Sequence, residues 1–160
     1  MKKKASTIFL KVVILIIGIM ALIGLIRFPM TEGRAVNLDL FSIYSDPFIL
    51  YMFVASIPFF IGLYQAFKLL GYIGQNQVFS LSSVKCLRTI KYCAIAFALF
   101  IVLGEIWIIL ANDGSNDGAG SMAVGIVTIF SSIITATAAA VFEKLLQSAV
   151  DIKSENDLTV

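Results

Sequence analysis

The 160-residue chain is 59% hydrophobic and only 14% charged, with a formal charge of +2 and no histidine. Soluble proteins carry about a quarter charged residues, and a chain this short cannot hide so much apolar side chain from water, because surface falls slowly with size. A bilayer is the solvent that fits. The missing histidines remove the commonest general base, zinc ligand and pH switch. No basic stripe interleaved with aromatics prepares the chain for nucleic acid, and no nucleotide loop, metal spacing or nucleophile–base pair occurs. The reading is therefore not an enzyme, with no cofactor, no metal and no direct nucleic-acid binding expected.

Four windows reach the ~20 mostly apolar residues that a spanning helix needs, at about 1.5 Å per residue across a hydrocarbon core of about 30 Å. The first, residues 8–28, follows Lys2, Lys3 and Lys4 and holds one charge, Lys11, near enough to its end to snorkel. No small-residue cleavage pattern follows it, so it reads as an uncleaved span rather than a signal peptide. Asp46–Pro47 opens the second, residues 47–67, with an acceptor at the N-cap and proline at the first helical position; Pro58 predicts a kink. The third, residues 92–111, carries Glu105, and Trp107 fits an outer aromatic belt. The fourth, residues 122–142, has no charge. Its small residues Ser121, Gly125, Thr128, Ser132, Thr135 and Ala139 suit close helix packing, within one bundle or between two copies. Together these predict an all-α polytopic transmembrane four-helix bundle formed by a single membrane domain over 1–160.

The connecting segments set its direction. Lys68, Lys85, Arg88 and Lys91 crowd the 68–91 segment without an acid, whereas the 29–46 side holds Arg27 and Arg34 against Glu32, Asp39 and Asp46, and Asp113 and Asp117 stand without a base. Basic residues mark the inside, so both termini and segment 68–91 are expected in the cytoplasm of a bacterial plasma membrane, with Cys86 and Cys93 reduced. Asn112–Gly120 reads as a tight turn of Asn, Asp and Gly. Gly71 and Gly74 are expected to release the chain from span two. Ser80 is placed to cap an amphipathic cytoplasmic helix, its apolar row Leu81, Val84, Leu87 and Ile90 lying on headgroups or leading into span three. The helical tail 143–160 keeps Leu145, Leu146, Ala149 and Ile152 at helical spacing among charges.

Two sets of candidate functional residues follow. Glu105 lies six residues, about 9 Å, below the outer boundary at Ala111, where a charged carboxylate costs a few kcal/mol. Arg27 is the expected counter-charge and Arg34 the alternate, so this pair is either an inter-helix pin or a sensing or ligand site. Phe79, Val84, Lys85, Leu87 and Arg88 of the inner segment, with Leu145 and Leu146 of the tail, form a candidate docking surface for a soluble protein or a second copy.

The segment Gln77-Val78-Phe79-Ser80-Leu81-Ser82-Ser83-Val84, followed by Leu87 and Ile90, and the ending Glu155-Asn156-Asp157-Leu158-Thr159-Val160 carry a further signal. With four spans over about 160 residues they resemble the YoaS-like family of small bacterial membrane proteins, a domain-of-unknown-function family. The resemblance covers the whole chain and implies no catalytic residue. It implies a gene often placed beside a small helix-turn-helix regulator, and so a membrane protein that restrains or informs that cytoplasmic partner. A small transporter or channel subunit using Glu105, and an immunity or envelope-stress protein, are the alternatives.

Overall fold

A computed structural model describes residues 2–31, 39–111 and 118–158. Its elements are α1 (Lys2–Thr31), α2 (Leu40–Tyr44), α3 (Pro47–Gly74), α4 (Leu81–Ala111) and α5 (Gly118–Leu158). The four long helices are each long and apolar enough to cross a membrane. Their exteriors are apolar, with Phe9, Met20, Leu110 and Phe130 all more than 60% exposed, while small or polar side chains such as Thr7, Ser83, Ser132, Ala139 and Glu143 are buried. In water such a surface would drive association; in lipid it needs no partner. The expected all-α bundle is the fold.

Each spanning helix packs mainly on its neighbour in the chain: α1 on α3, α3 on α4, and most extensively α4 on α5. Glycines make the close approaches. A methyl on Gly74 would touch the Thr7 side chain at 3.4 Å, and one on Gly62 would meet the Cys93 Cβ at 3.7 Å. At the end away from the termini the Tyr44 hydroxyl donates to the Ile26 carbonyl at 3.0 Å, tying α2 to α1. Lys11 reaches α3, its Nζ 4.9 Å from the Phe67 ring centroid, a cation–π contact.

Helix boundaries follow local chemistry. Asp46 caps α3, its carboxylate accepting the Phe48 N–H at 2.8 Å ahead of Pro47 at the first helical position. The other end differs from the sequence expectation, because Gly71 stays helical and faces Lys11 of α1. The stop is Asn76, in the left-handed region at φ 59°. The Gln77 N–H reaches back to the Tyr72 carbonyl at 2.9 Å and the Asn76 N–H to that of Ile73 at 3.2 Å, the paired bonds of a Schellman motif. Ser80 then caps α4 through the Ser83 N–H at 3.3 Å. Hydroxyls of Ser80 and Ser83 both donate to the Gln77 carbonyl, at 2.9 and 3.1 Å.

The segment that carries the family signal thus joins a capped, internally bonded connector, residues 75–80, to the first turns of α4. The amphipathic row after it forms the first turns of α4, continuous with span three. Segment 68–91 is therefore helical except for those six residues. The tail is helical as expected, since α5 runs unbroken to Leu158. Of the turn expected at 112–120, residues 112–117 lie outside the described residues, as do Glu32 and Arg34, while residues 118–120 already belong to α5.

Candidate functional site

Two polar layers cross the α4–α5 pair, one toward each end. At the end that holds both termini, Glu143 of α5 is 8% exposed. It accepts the Arg88 Nε–H at 2.7 Å on one oxygen and a Lys91 Nζ–H at 2.6 Å on the other. Helix α4, at about 46 Å for its 31 residues, is longer than the hydrocarbon core. Its charged turns at 85–91 therefore lie at the membrane boundary, outside span 92–111, as Glu143 lies outside span 122–142. Lys91 and then Arg88 hold the Glu143 carboxyl below the usual carboxylate range, against a smaller opposing effect of burial. The Lys91 ammonium also sits 4.8 Å from the Tyr92 ring centroid.

The other layer centres on Glu105. Its carboxyl lies over Gly125 of α5, so close that a methyl carbon on Gly125 would come within 2.5 Å of Cδ and 2.9 Å of Cγ. Oε2 is buried without a hydrogen-bond partner among the described residues. Gly104 beside it is equally tight against α3, with 3.3 Å left between an added methyl and Tyr51 Cε1. The Tyr51 hydroxyl donates to the Phe100 carbonyl at 2.5 Å, and its ring lies 6.0 Å, centroid to centroid, from that of Trp107. Three helices therefore meet at Glu105 with glycine on two of them.

The two layers share one antiparallel register. From Arg88 to Glu105, α4 advances seventeen residues, and from Glu143 to Gly125, α5 retreats eighteen. At about 1.5 Å per residue both intervals are roughly 26 Å, close to the hydrocarbon thickness. The two carboxylates therefore stand about one hydrocarbon thickness apart along the α4–α5 pair. Between them the hydroxyls of α5 turn inward on their own helix: Thr128, Ser131, Ser132, Thr135 and Thr137 each donate to the carbonyl four residues back at 2.8 Å.

The sequence-predicted residues fall apart into different roles. Arg27 is exposed on α1, which packs on α3, and makes no ion pair with Glu105 among the described residues. Val84 and Leu87 are 2% and 8% exposed and belong to the protein core. Phe79, Lys85, Arg88 and Leu145 are exposed, and Leu146 is half-buried. Of the small-residue stripe, Gly125, Ser132 and Ala139 are buried, joined by Ala136, which the stripe did not include, while Thr135 is turned outward. Glu143 was missed as a site residue. Its signal was an acid just past span four, opposite an acid-free run of three bases just before span three.

An apolar exterior and four helices long and apolar enough to cross a membrane define a polytopic all-α membrane protein. The chain belongs to the family described as protein of unknown function DUF2975, which matches residues 30–160. It is 42% identical over 161 residues to the uncharacterized membrane protein YoaS of Bacillus subtilis (strain 168), an alignment that covers 98% of this chain and 99% of that protein. No solved structure matches the chain.

Proposed function

We propose that the chain is a regulatory membrane protein whose end bearing both termini faces the cytoplasm and engages a soluble partner. The family resemblance makes a small helix-turn-helix regulator the expected partner. The concentration of Lys and Arg at that end supports the orientation. One observation carries the docking role: Ile152, 67% exposed, stands nine residues or about 13 Å past Glu143 on α5. That distance exceeds the depth of a headgroup layer, about 5–8 Å, so Ile152 presents apolar surface to water. Leu145, 61% exposed, lies two turns earlier on the same face. The neighbouring positions Leu146, Ala149 and Val150 are half-buried. An apolar pair seven residues apart on an exposed helix face is the pattern by which a helix is read in a partner's groove.

Helix α5 is one continuous element from the Glu105 contact to this arm, which supports a reading in which a change at the outer end alters how the arm is presented. The test is co-purification in mild detergent of the full chain with the regulator encoded beside it. Association that is lost in Ile152→Asp and in a chain ending at Lys144 supports the proposal. Absence of association by the full chain sinks it.

A further inference from the structure

A groove of about 530 Å³ runs between α4 and α5 on their lipid-facing side. It extends from Lys91 and Ala140 at the basic end to Val102 and Ile129. Eleven residues on each helix make it about 16 Å long, half of a hydrocarbon core and so the depth of one leaflet. Its floor is small and apolar, with Ala94, Ala98 and Ala136 between the ends. Its two hydroxyls, Ser132 and Thr137, are spent on backbone carbonyls of α5. A polar solute or ion has nothing to bind there, whereas an acyl chain fits both the length and the lining.

The mouth has the opposite character. Lys91 closes it, and Arg88 stands one turn further out on a side chain that is 53% exposed. Glu143 takes a single N–H from each. A guanidinium has five N–H donors and an ammonium three, so both retain donors after that pairing, and two cations against one carboxylate leave a net positive charge. Lys85 and Lys144, both exposed, add to it. Glu143 therefore orients the two cations at the groove mouth without neutralising them.

We infer that the α4–α5 groove binds one anionic phospholipid of the leaflet on the side of the termini, an acyl chain along Ala98 and its phosphate on Arg88 and Lys91. Basic pockets between spanning helices are known receptors for anionic headgroups; here the chain-shaped groove and the charged mouth coincide. The site is independent of any soluble partner.

The test uses the full chain in nanodiscs of equimolar phosphatidylglycerol and phosphatidylcholine, released for native mass spectrometry. Phosphatidylglycerol should be retained over phosphatidylcholine by about fivefold, the factor that one basic side chain near the surface is worth. Filling the groove with Ala98→Leu and Ala140→Leu should abolish that adduct while helicity is kept. Arg88→Gln, on an exposed side chain and leaving Lys91 on Glu143, should remove most of the preference with the groove intact. Equal retention of the two lipids by the native chain overturns the inference, a comparison that needs no variant. So does undiminished phosphatidylglycerol retention in a folded groove-filled variant or in Arg88→Gln. A dimer that forms through this groove, detected by disulfide cross-linking of Ile95→Cys between copies, also overturns it.

Discussion

Gly125→Ala tests whether steric fit at Glu105 sets the packing of the bundle at the end away from the termini. The new methyl carbon would lie 2.5 Å from Glu105 Cδ, against an optimal carbon–carbon separation of about 3.5–4.0 Å. The carboxyl must therefore withdraw by about an ångström or more. It has little room, since Oε2 is already buried. Overpacking of this kind costs about 1–3 kcal/mol, and a charged carboxylate pushed toward hydrocarbon costs up to about 3 kcal/mol on insertion scales. Alanine is the better helix former by about 1 kcal/mol, so the single variant understates the clash. A double-mutant cycle with Glu105→Ala removes that term, because the propensity gain occurs in both arms. The expected coupling is about 1–3 kcal/mol, with Gly125→Ala harmless or stabilising once Glu105 is gone. Unfolding of the full chain in mild detergent, followed by circular dichroism and by the fluorescence of Trp107, the one tryptophan, measures it. Costs that add within about 0.5 kcal/mol, the range of independent sites, would refute the contact as the determinant of packing.

Three further outcomes follow from the same geometry. Gly104→Ala meets only the edge of a ring at 3.3 Å and should cost less than Gly125→Ala in the same unfolding assay, about 1 kcal/mol at the foot of the overpacking range. At the connector, Ser80→Ala should lose about 1 kcal/mol for the missing cap. Asn76→Gly should be neutral or stabilising there, whereas Asn76→Val should cost about 1–2 kcal/mol for a left-handed β-branched residue, all read by thermal denaturation. Glu143→Gln should remove a pH dependence. The native carboxyl titrates below its ordinary value of 4.5, so its contribution to stability is present above that value and is lost as pH falls through the lowered one. The stability difference between native and Glu143→Gln chains should thus be constant above about pH 5.5 and shrink below about pH 4.5.

Features with a local cause were legible in the sequence. The hydrocarbon core is a ruler, so span number and approximate ends follow from length alone. Asp46–Pro47 and Ser80 could be placed as caps because a cap is satisfied within three residues of itself. The helix stop at Asn76 was hidden by Gly71 and Gly74, which are the usual residues of a C-terminal cap and here serve the approach of α1 instead. A glycine near a span end has two uses, and composition does not separate them.

Lateral arrangement was illegible for a deeper reason. In water an apolar row on a helix points to the protein core, but lipid is as apolar as leucine and offers no such contrast. Leu81, Val84 and Leu87 therefore read as one face. The structure divides them: Leu81 is 58% exposed, while Val84 and Leu87 are buried. The same indifference undid the Arg27 counter-charge, which was inferred from depth when the partner of an acid depends on which helix stands beside it. Polar groups are what restore the contrast. Glu143, unable to remain in apolar surroundings alone, turns α5 toward Arg88 and Lys91. Glu105, with no cation paired to it among the described residues, lies over Gly125, where the missing side chain leaves space for its carboxyl. In a chain whose apolar faces are interchangeable, the few carboxylates near the membrane boundaries and the small residues opposite them carry the information that orders the helices.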